Sequence, residues 1–335
     1  MKKFIALMGD VAVAVGCCIG VGFLSGKEAQ VFFGNVFNVV IFAVIFCVAS
    51  LALREYCRLN RCATVDTLSA SLFGKASKVF NMGIALCSFV CIVTVLAGVE
   101  QCLSELFYLS KLPLYAFAAA VIAALLLRKD MKALKVANVL SIVMAIVLII
   151  ILMCTNTTAG VENTQVPMYQ PVIYALFSVT MSLGVTTQLA TDSSKARNVI
   201  ACIIASVLTA ALMLAVLPLC QLNANLPTLA NITHPILRFY AVITLLFAAV
   251  TGIVANAYPI EQELKSLVPD NTVCNALIFG AALAFSMFGF DFAVKFGYLL
   301  VSAFGAAIVL LAIIKLLLKH IGKAKKQLKV KSKAT

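Results

Sequence analysis

The residues best suited to chemistry in this chain lie between Gly16 and Glu28, which read Gly16-Cys17-Cys18-Ile19-Gly20-Val21-Gly22-Phe23-Leu24-Ser25-Gly26-Lys27-Glu28. Four glycines in eleven residues cost a helix about 3–4 kcal/mol relative to alanine. The spacings 16/20 and 22/26 also fit close helix–helix packing. Gly20-x-Gly22 is denser than a contact face needs, however, and Ser25-Gly26-Lys27-Glu28 sets polar groups in an otherwise apolar stretch. Unwound backbone in a membrane is tolerated only where protein buries it or where it lines a watery cavity. Its N–H and C=O groups then become ligands for a polar solute or an ion. Gly20, Gly22, Phe23, Ser25 and Gly26 are therefore candidate solute-binding positions.

A second stretch, Ser178-Val179-Thr180-Met181-Ser182-Leu183-Gly184-Val185-Thr186-Thr187-Gln188, places hydroxyls and one glycine inside another apolar run. Thr180, Ser182 and Gly184 join the candidates, although such hydroxyls also bond back to their own helix. Ionisable residues within apolar runs are few, and a buried carboxylate is costly enough to be functional or partnered. Glu28 is the candidate ion-coupling carboxylate, taking up a proton or bracing the broken helix. Asp10 and Glu105 are expected to reach the interfaces, and Asp291 and Lys295 to pair at i,i+4. Thr251, followed by Gly252, offers a hydroxyl for a sodium-type oxygen site. The twelve cysteines form no metal or disulfide framework; Cys87 and Cys91 share a helix face, but the chain holds two histidines, His234 in a loop and His320 in the basic tail. No Ser/His, His-cluster or paired-carboxylate arrangement points to an enzyme.

These residues must be held by membrane-spanning helices. Of 335 residues, 63% are apolar and 12% charged, too little polar surface for a soluble chain of this length. About 20 apolar residues cross a hydrocarbon core of about 30 Å as a helix. Strands of a transmembrane barrel would instead alternate over about ten residues. The runs place helices at about 4–33 (broken), 35–53, 79–108, 112–127, 133–154, 171–192 (broken), 197–217, 236–257, 272–290 and 297–318. The fold expected is an all-α polytopic membrane protein of about ten transmembrane helices. Ten spans divide into five and five, an odd number that inverts the second set and makes spans one and six equivalent. Both carry an interruption, the pointer to a transporter of inverted repeats. One domain covers 1–320, with repeats at about 4–154 and 171–318, and 321–335 is a basic cytoplasmic tail. In the loop 54–78, Val65, Leu68 and Leu72 suggest a surface helix.

The net charge of +13 reads as membrane orientation, not nucleic-acid binding. With the N-terminus inside, 22 Lys and Arg fall on inner segments and 4 on outer ones. That asymmetry supports an even helix count with both termini cytoplasmic. Eight lysines between Lys315 and Lys333 form an anchor for anionic lipid head groups. Lys2 and Lys3 before an apolar run suggest a leader, but Asp10 interrupts the run and the span continues past Cys17, so a retained first helix is expected.

The string Gly16-x-x-x-Gly20-x-Gly22-Phe23-Leu24-Ser25-Gly26-Lys27-Glu28, followed by Phe32-Phe33-Gly34, resembles the YkvI-type bacterial membrane proteins, which carry a similar Gly-x-Gly-Phe-Ala-(Ser/Thr)-Gly-Gln-Glu run. Leu24 and Lys27 depart from that pattern. The resemblance implies distant kinship with the amino acid–polyamine–organocation transporters, a LeuT-like five-plus-five fold with helices 1 and 6 broken, and a bacterial plasma membrane location. The function expected is ion-coupled secondary transport of a small polar solute, an amino acid or amine. No nucleotide-binding loop is present, so Na+ or H+ as coupling ion is the only cofactor expected. A non-transporting solute sensor on the same scaffold is the alternative; it would need partner subunits, which the residues do not name.

Overall fold

The computed structural model describes residues 2–24, 26–107, 112–127, 131–155, 165–221, 232, 234–265, 267–268 and 270–331. Among the described residues every regular element is helical. The first expected span is three pieces, α1 (Lys2–Cys18), α2 (Val21–Leu24) and α3 (Lys27–Phe32). There follow α4 (Val36–Asn60), α5 (Val65–Phe73), a 3₁₀ turn at Gly74–Ala76, α6 (Ser77–Phe107), α7 (Leu112–Leu127) and α8 (Met131–Thr155). The second half holds α9 (Tyr169–Met181), α10 (Leu183–Asp192), α11 (Lys195–Gln221), α12 (Pro235–Leu264), α13 (Asn271–Ser286), α14 (Phe290–Phe292), a π-helical segment at Ala293–Gly297, and α15 (Tyr298–Lys331).

Among the described residues six helices are long and apolar enough to cross a membrane, and the α9–α10 pair, bent by 65°, makes a seventh if it is counted as one span. Phe4–Cys18 and Thr272–Ser286 are shorter apolar helices, as is α7 with 16 residues. The chain is a multi-pass membrane protein. Its helices are apolar all round because one face meets neighbours and the other meets lipid. In α4, Val39, Phe42, Phe46, Ala49 and Leu53 are buried while Val40, Val44 and Val48 lie exposed at i,i+4 spacing.

Several boundaries depart from expectation. α11 runs through Pro218 and α12 through Pro259, each proline costing one ladder bond that surrounding protein accommodates. α4 continues past the expected end at 53 to Asn60, capped by Arg61 in the left-handed conformation. Arg54 therefore belongs to a helix and is 1% exposed; its Nε and Nη1 have no hydrogen-bond partner among the described residues. The expected surface helix is α5, opened by a Thr64/Thr67 capping box and turning Val65, Leu68 and Leu72 inward. Lysines counted to the tail also hold structure. Lys315 donates to the Ser71 carbonyl and Lys319 to the Asn60 side chain, cations at the ends of α5 and α4 where the helix dipoles are negative.

One continuous apolar core joins both halves. Within it α1 packs against α8, α11 and α12, while α9 packs against α4 and α15. The end of α1 and the first turns of α9 thereby meet near the centre of the bundle.

Candidate functional site

The site is built on the break in the first span. α1 closes its last hydrogen bond from Ile19 N to the Val15 carbonyl, 2.9 Å. α2 is a single turn, and Gly26 N bonds back to the Phe23 carbonyl at 3.0 Å. Gly26 takes φ 81° as the cap of α3, a left-handed conformation that is cheap only for glycine. Carbonyls at the end of α1 lose their helical partners. That of Cys18 lies 2.9 Å from the Tyr174 hydroxyl on α9.

The first turn of α3 carries Glu28, 3% exposed. The Tyr298 hydroxyl on α15 donates to its Oε1. Tyr174 Oη lies 2.6 Å from its Oε2, so one phenol faces two acceptors. Gly22 is required beneath this carboxyl: a Cβ there would overlap the Glu28 carboxyl and the ring of Phe290. Aromatic rings lock the phenols in place. Phe32 stacks on Tyr298 with centroids 5.2 Å apart, Phe33 meets Tyr174 edge-on at 5.3 Å, and Phe177 stacks on Tyr298 at 3.7 Å. Gln30 anchors the same half-helix by donating to the Cys220 carbonyl of α11 at 2.9 Å.

These groups enclose a cavity of about 20 Å³, room for about one water. Cys17, Cys18, Gly20, Gly22 and Glu28 line it from the broken span, Cys91 and Thr94 from α6, Tyr174, Phe177 and Met181 from α9, and Phe290 and Tyr298 from the last span. A vestibule of about 610 Å³ lies beyond Phe290 and Tyr298, which line both spaces. Its wall includes Lys27, Gln30, Gln170, Asp291 and Lys295. Lys27 Nζ meets Asp291 Oδ1 at 3.2 Å, with the Asp291 side chain 88% exposed.

Toward the other end of α1 the bundle is shut by charge. Asp10 is 0% exposed, with Oδ1 3.4 Å from Lys135 Nζ on α8 and Oδ2 2.5 Å from Arg197 Nη2 on α11. The Ser193 hydroxyl donates to Oδ2 at 3.2 Å, and Arg197 also donates to the Ala6 carbonyl at 3.0 Å. Two cations and a hydroxyl thus hold one buried carboxylate, and through it α1, against two other helices.

The structure brings Gly20, Gly22 and Glu28 to the cavity, and Gly26 makes the turn that positions Glu28. Phe23 is fully buried but is not part of the lining, and Ser25 lies outside the described residues. The second expected break is present, α9 and α10 meeting at 65° across Ser182, but Thr180, Ser182 and Gly184 do not line the cavity. At Ser182 the helix bends while Ser182 N keeps the Ser178 carbonyl at 3.2 Å and Thr186 N keeps the Ser182 carbonyl at 2.8 Å. The Ser182 hydroxyl donates to the Val179 carbonyl and that of Thr180 to the Leu176 carbonyl, both at 2.8 Å. Thr180 faces α15, where the Val301 carbonyl is 3.4 Å away. A Cβ at Gly184 would stand 3.2 Å from the Ala255 carbonyl, so this glycine permits close packing on α12 beside Pro259. The Thr251 hydroxyl donates to the Ala248 carbonyl at 3.0 Å, and the structure does not bring it to the cavity.

Two charge assignments also change. Asp10 does not reach an interface but is buried between two cations. Lys27 reaches across to Asp291, so Asp291 does not pair with Lys295, whose ammonium sits 5.9 Å from the Phe296 ring centroid. Glu105 has no described side chain. Tyr174, Tyr298 and Phe290 went unrecognised in the sequence. A usable signal was present: a tyrosine deep in an apolar run must find a partner for its hydroxyl.

No protein-family model matches the chain, and no curated protein matches it in sequence. Solved structures do resemble it. MhsT, solved in complex with L-phenylalanine, superposes with TM-score 0.66 at 15% identity over 90% of this chain and 87% of that one. Mhp1, a nucleobase-cation-symport-1 family transporter solved closed with bromovinylhydantoin bound, gives TM-score 0.62 at 14% identity over 91% and 76%. At this identity the likeness establishes the fold: the chain shares the LeuT-type architecture of these two proteins.

Proposed function

We propose that this protein is an ion-coupled secondary transporter of a small polar solute, an amino acid or amine, working by alternating access. The observation that carries the reading is the enclosed cavity at the α1 break, set between an aromatic layer on one side and the Asp10 ion network on the other. A carboxyl group and the end of an interrupted helix meet there, the combination suited to a solute bearing an amino group. The resemblance to YkvI-type proteins and the architecture shared with two solved transporters both support it.

In this reading the chain crosses a bacterial plasma membrane ten times, as two inverted sets of five, with both termini cytoplasmic. The vestibule then faces outward and the Asp10 network closes the cytoplasmic side. Solute enters through the vestibule past Phe290 and Tyr298, and the one-water cavity beside Gly20, Gly22 and Glu28 must widen to hold it. Release requires Asp10 to part from Lys135 and Arg197 so that α1 swings away from α8 and α11. In the second half the binding groups are the side chains of Tyr174 and Phe177, which line the cavity from α9.

The test is uptake by the full-length protein in proteoliposomes across a panel of amino acids and amines, with sodium and proton gradients imposed separately. Accumulation of a panel member under one gradient supports the proposal. Solute-dependent stabilisation with no uptake under any gradient would overturn it in favour of a solute sensor on the same scaffold.

A further inference from the structure

Three close oxygen contacts surround Glu28, and their protons can be counted. Tyr298 Oη meets Oε1, Tyr174 Oη meets Oε2, and Tyr174 Oη also meets the Cys18 carbonyl. Each contact needs one hydrogen between its oxygens, because two lone pairs at such distances repel. The two phenols supply two hydrogens, and the Cys18 carbonyl supplies none. If Tyr174 spends its hydrogen on an ionised Glu28, the 2.9 Å contact to Cys18 has no hydrogen; if it spends it on Cys18, the 2.6 Å contact to Glu28 has none.

The surroundings supply no substitute charge. The elements packed around the carboxyl present Cys17 and Cys18 from α1, Cys91 and Thr94 from α6, Tyr174 from α9, Phe290 from α14 and Tyr298 from α15. The one nearby cation in sequence, Lys27, directs its ammonium to Asp291. Among the described residues no cation lies within ion-pair distance of Glu28.

We propose that Glu28 carries the coupling proton, as a carboxylic acid whose Oε2–H donates to Tyr174 Oη, so that Tyr174 can donate onward to the Cys18 carbonyl. The chain Tyr298 to Glu28 to Tyr174 to Cys18 then has one hydrogen in every contact. Deprotonation breaks the Oε2–H bond and passes the proton to water admitted from whichever side is open. The carboxylate left behind draws the Tyr174 hydrogen to itself, and the Cys18 carbonyl loses its donor. The end of α1 is then untied from α9. Proton occupancy thereby decides whether the mobile half-helix is fastened to the bundle, and the coupling role rests on the transport reading above.

The experiment is infrared spectroscopy of the purified full-length protein at neutral pH, wild type minus Glu28→Gln, in H2O and D2O. The expected difference is loss of one deuterium-sensitive carboxylic acid C=O band. Loss of carboxylate bands in its place would overturn the proposal. Glutamine copies the neutral acid, its amide donating to Tyr174 while its oxygen accepts from Tyr298, so the variant retains the contacts that position α3. In Tyr174→Phe the band is expected to persist at a shifted frequency, since its hydrogen has lost its acceptor; an unshifted band would place the proton elsewhere and overturn the relay. The coupling step is read by a pH indicator trapped in proteoliposomes of the wild type during solute uptake. Solute movement without proton movement would overturn the coupling role of Glu28. A wild type that moves no panel solute under any gradient would overturn the transport reading instead, while the infrared result still decides the proton.

Discussion

Replacing Gly22 by alanine adds one carbon at the most crowded point of the site. That carbon would overlap both the Glu28 carboxyl and the Phe290 ring, so at least one must shift. Overpacking of this kind costs about 1–3 kcal/mol. Moving Glu28 also breaks hydrogen bonds to Tyr174 and Tyr298, about 1 kcal/mol each, so the total is about 3–5 kcal/mol. If about 2 kcal/mol of this falls on the bound state, affinity for a solute held at Glu28 drops roughly 30-fold. The matched control is Gly20→Ala. It is the same chemical change two residues away, where a Cβ meets nothing within 4 Å and the helix-propensity gain is at most about 1 kcal/mol. Both variants are compared with wild type by thermal unfolding in detergent and by uptake of whichever panel solute the wild type accumulates. Gly22→Ala should unfold at the lower temperature and lose uptake, while Gly20→Ala keeps the wild-type unfolding temperature. Equal behaviour of the two alanine variants would refute the view that Gly22 exists to admit the carboxyl.

The Asp10 network gives a second prediction. Asp10→Asn keeps the shape but leaves Lys135 and Arg197 facing a neutral amide, and loss of one partner from a buried ion group destabilises by about 3–5 kcal/mol, less here because both cations are about a third exposed. With Cys17 as the sole remaining cysteine, its maleimide labelling should rise in the variant; unchanged labelling would mean that Asp10 does not hold α1 shut. Thr251→Val should leave uptake and its ion dependence unaltered, since the hydroxyl already bonds within its own helix. A loss of sodium dependence in that variant would restore Thr251 to the site.

The glycine string was readable because it violates helix propensity in a stretch where nothing else explains the cost. The hydroxyl-and-glycine stretch likewise marked the interruption of the sixth expected span, where α9 and α10 meet at 65°, but not which groups reach the cavity: Thr180 and Ser182 bond to their own helix and Gly184 packs on α12. The partners of the charges were equally hidden. Asp10 meets Lys135 and Arg197 from positions 125 and 187 residues away along the chain, so no local pattern could pair them, and Lys27 finds Asp291 across 264 residues. Glu28 was singled out as a lone carboxylate in an apolar run, but its two phenols come from the opposite half of the molecule.

Phe290 and Tyr298 line both the cavity and the vestibule, whereas the other end is held by a packed helix bound through Asp10. These two barriers differ in kind. Phe290 and Tyr298 are buried, and Tyr298 is stacked on Phe32 and Phe177 and bonded to Glu28, so opening that side means unpacking a ring stack. Opening the opposite end means parting a docked helix from its ion network, a microsecond-to-millisecond motion. In the proposed transport cycle each opening is therefore a collective motion, and the pocket exchanges freely with neither side.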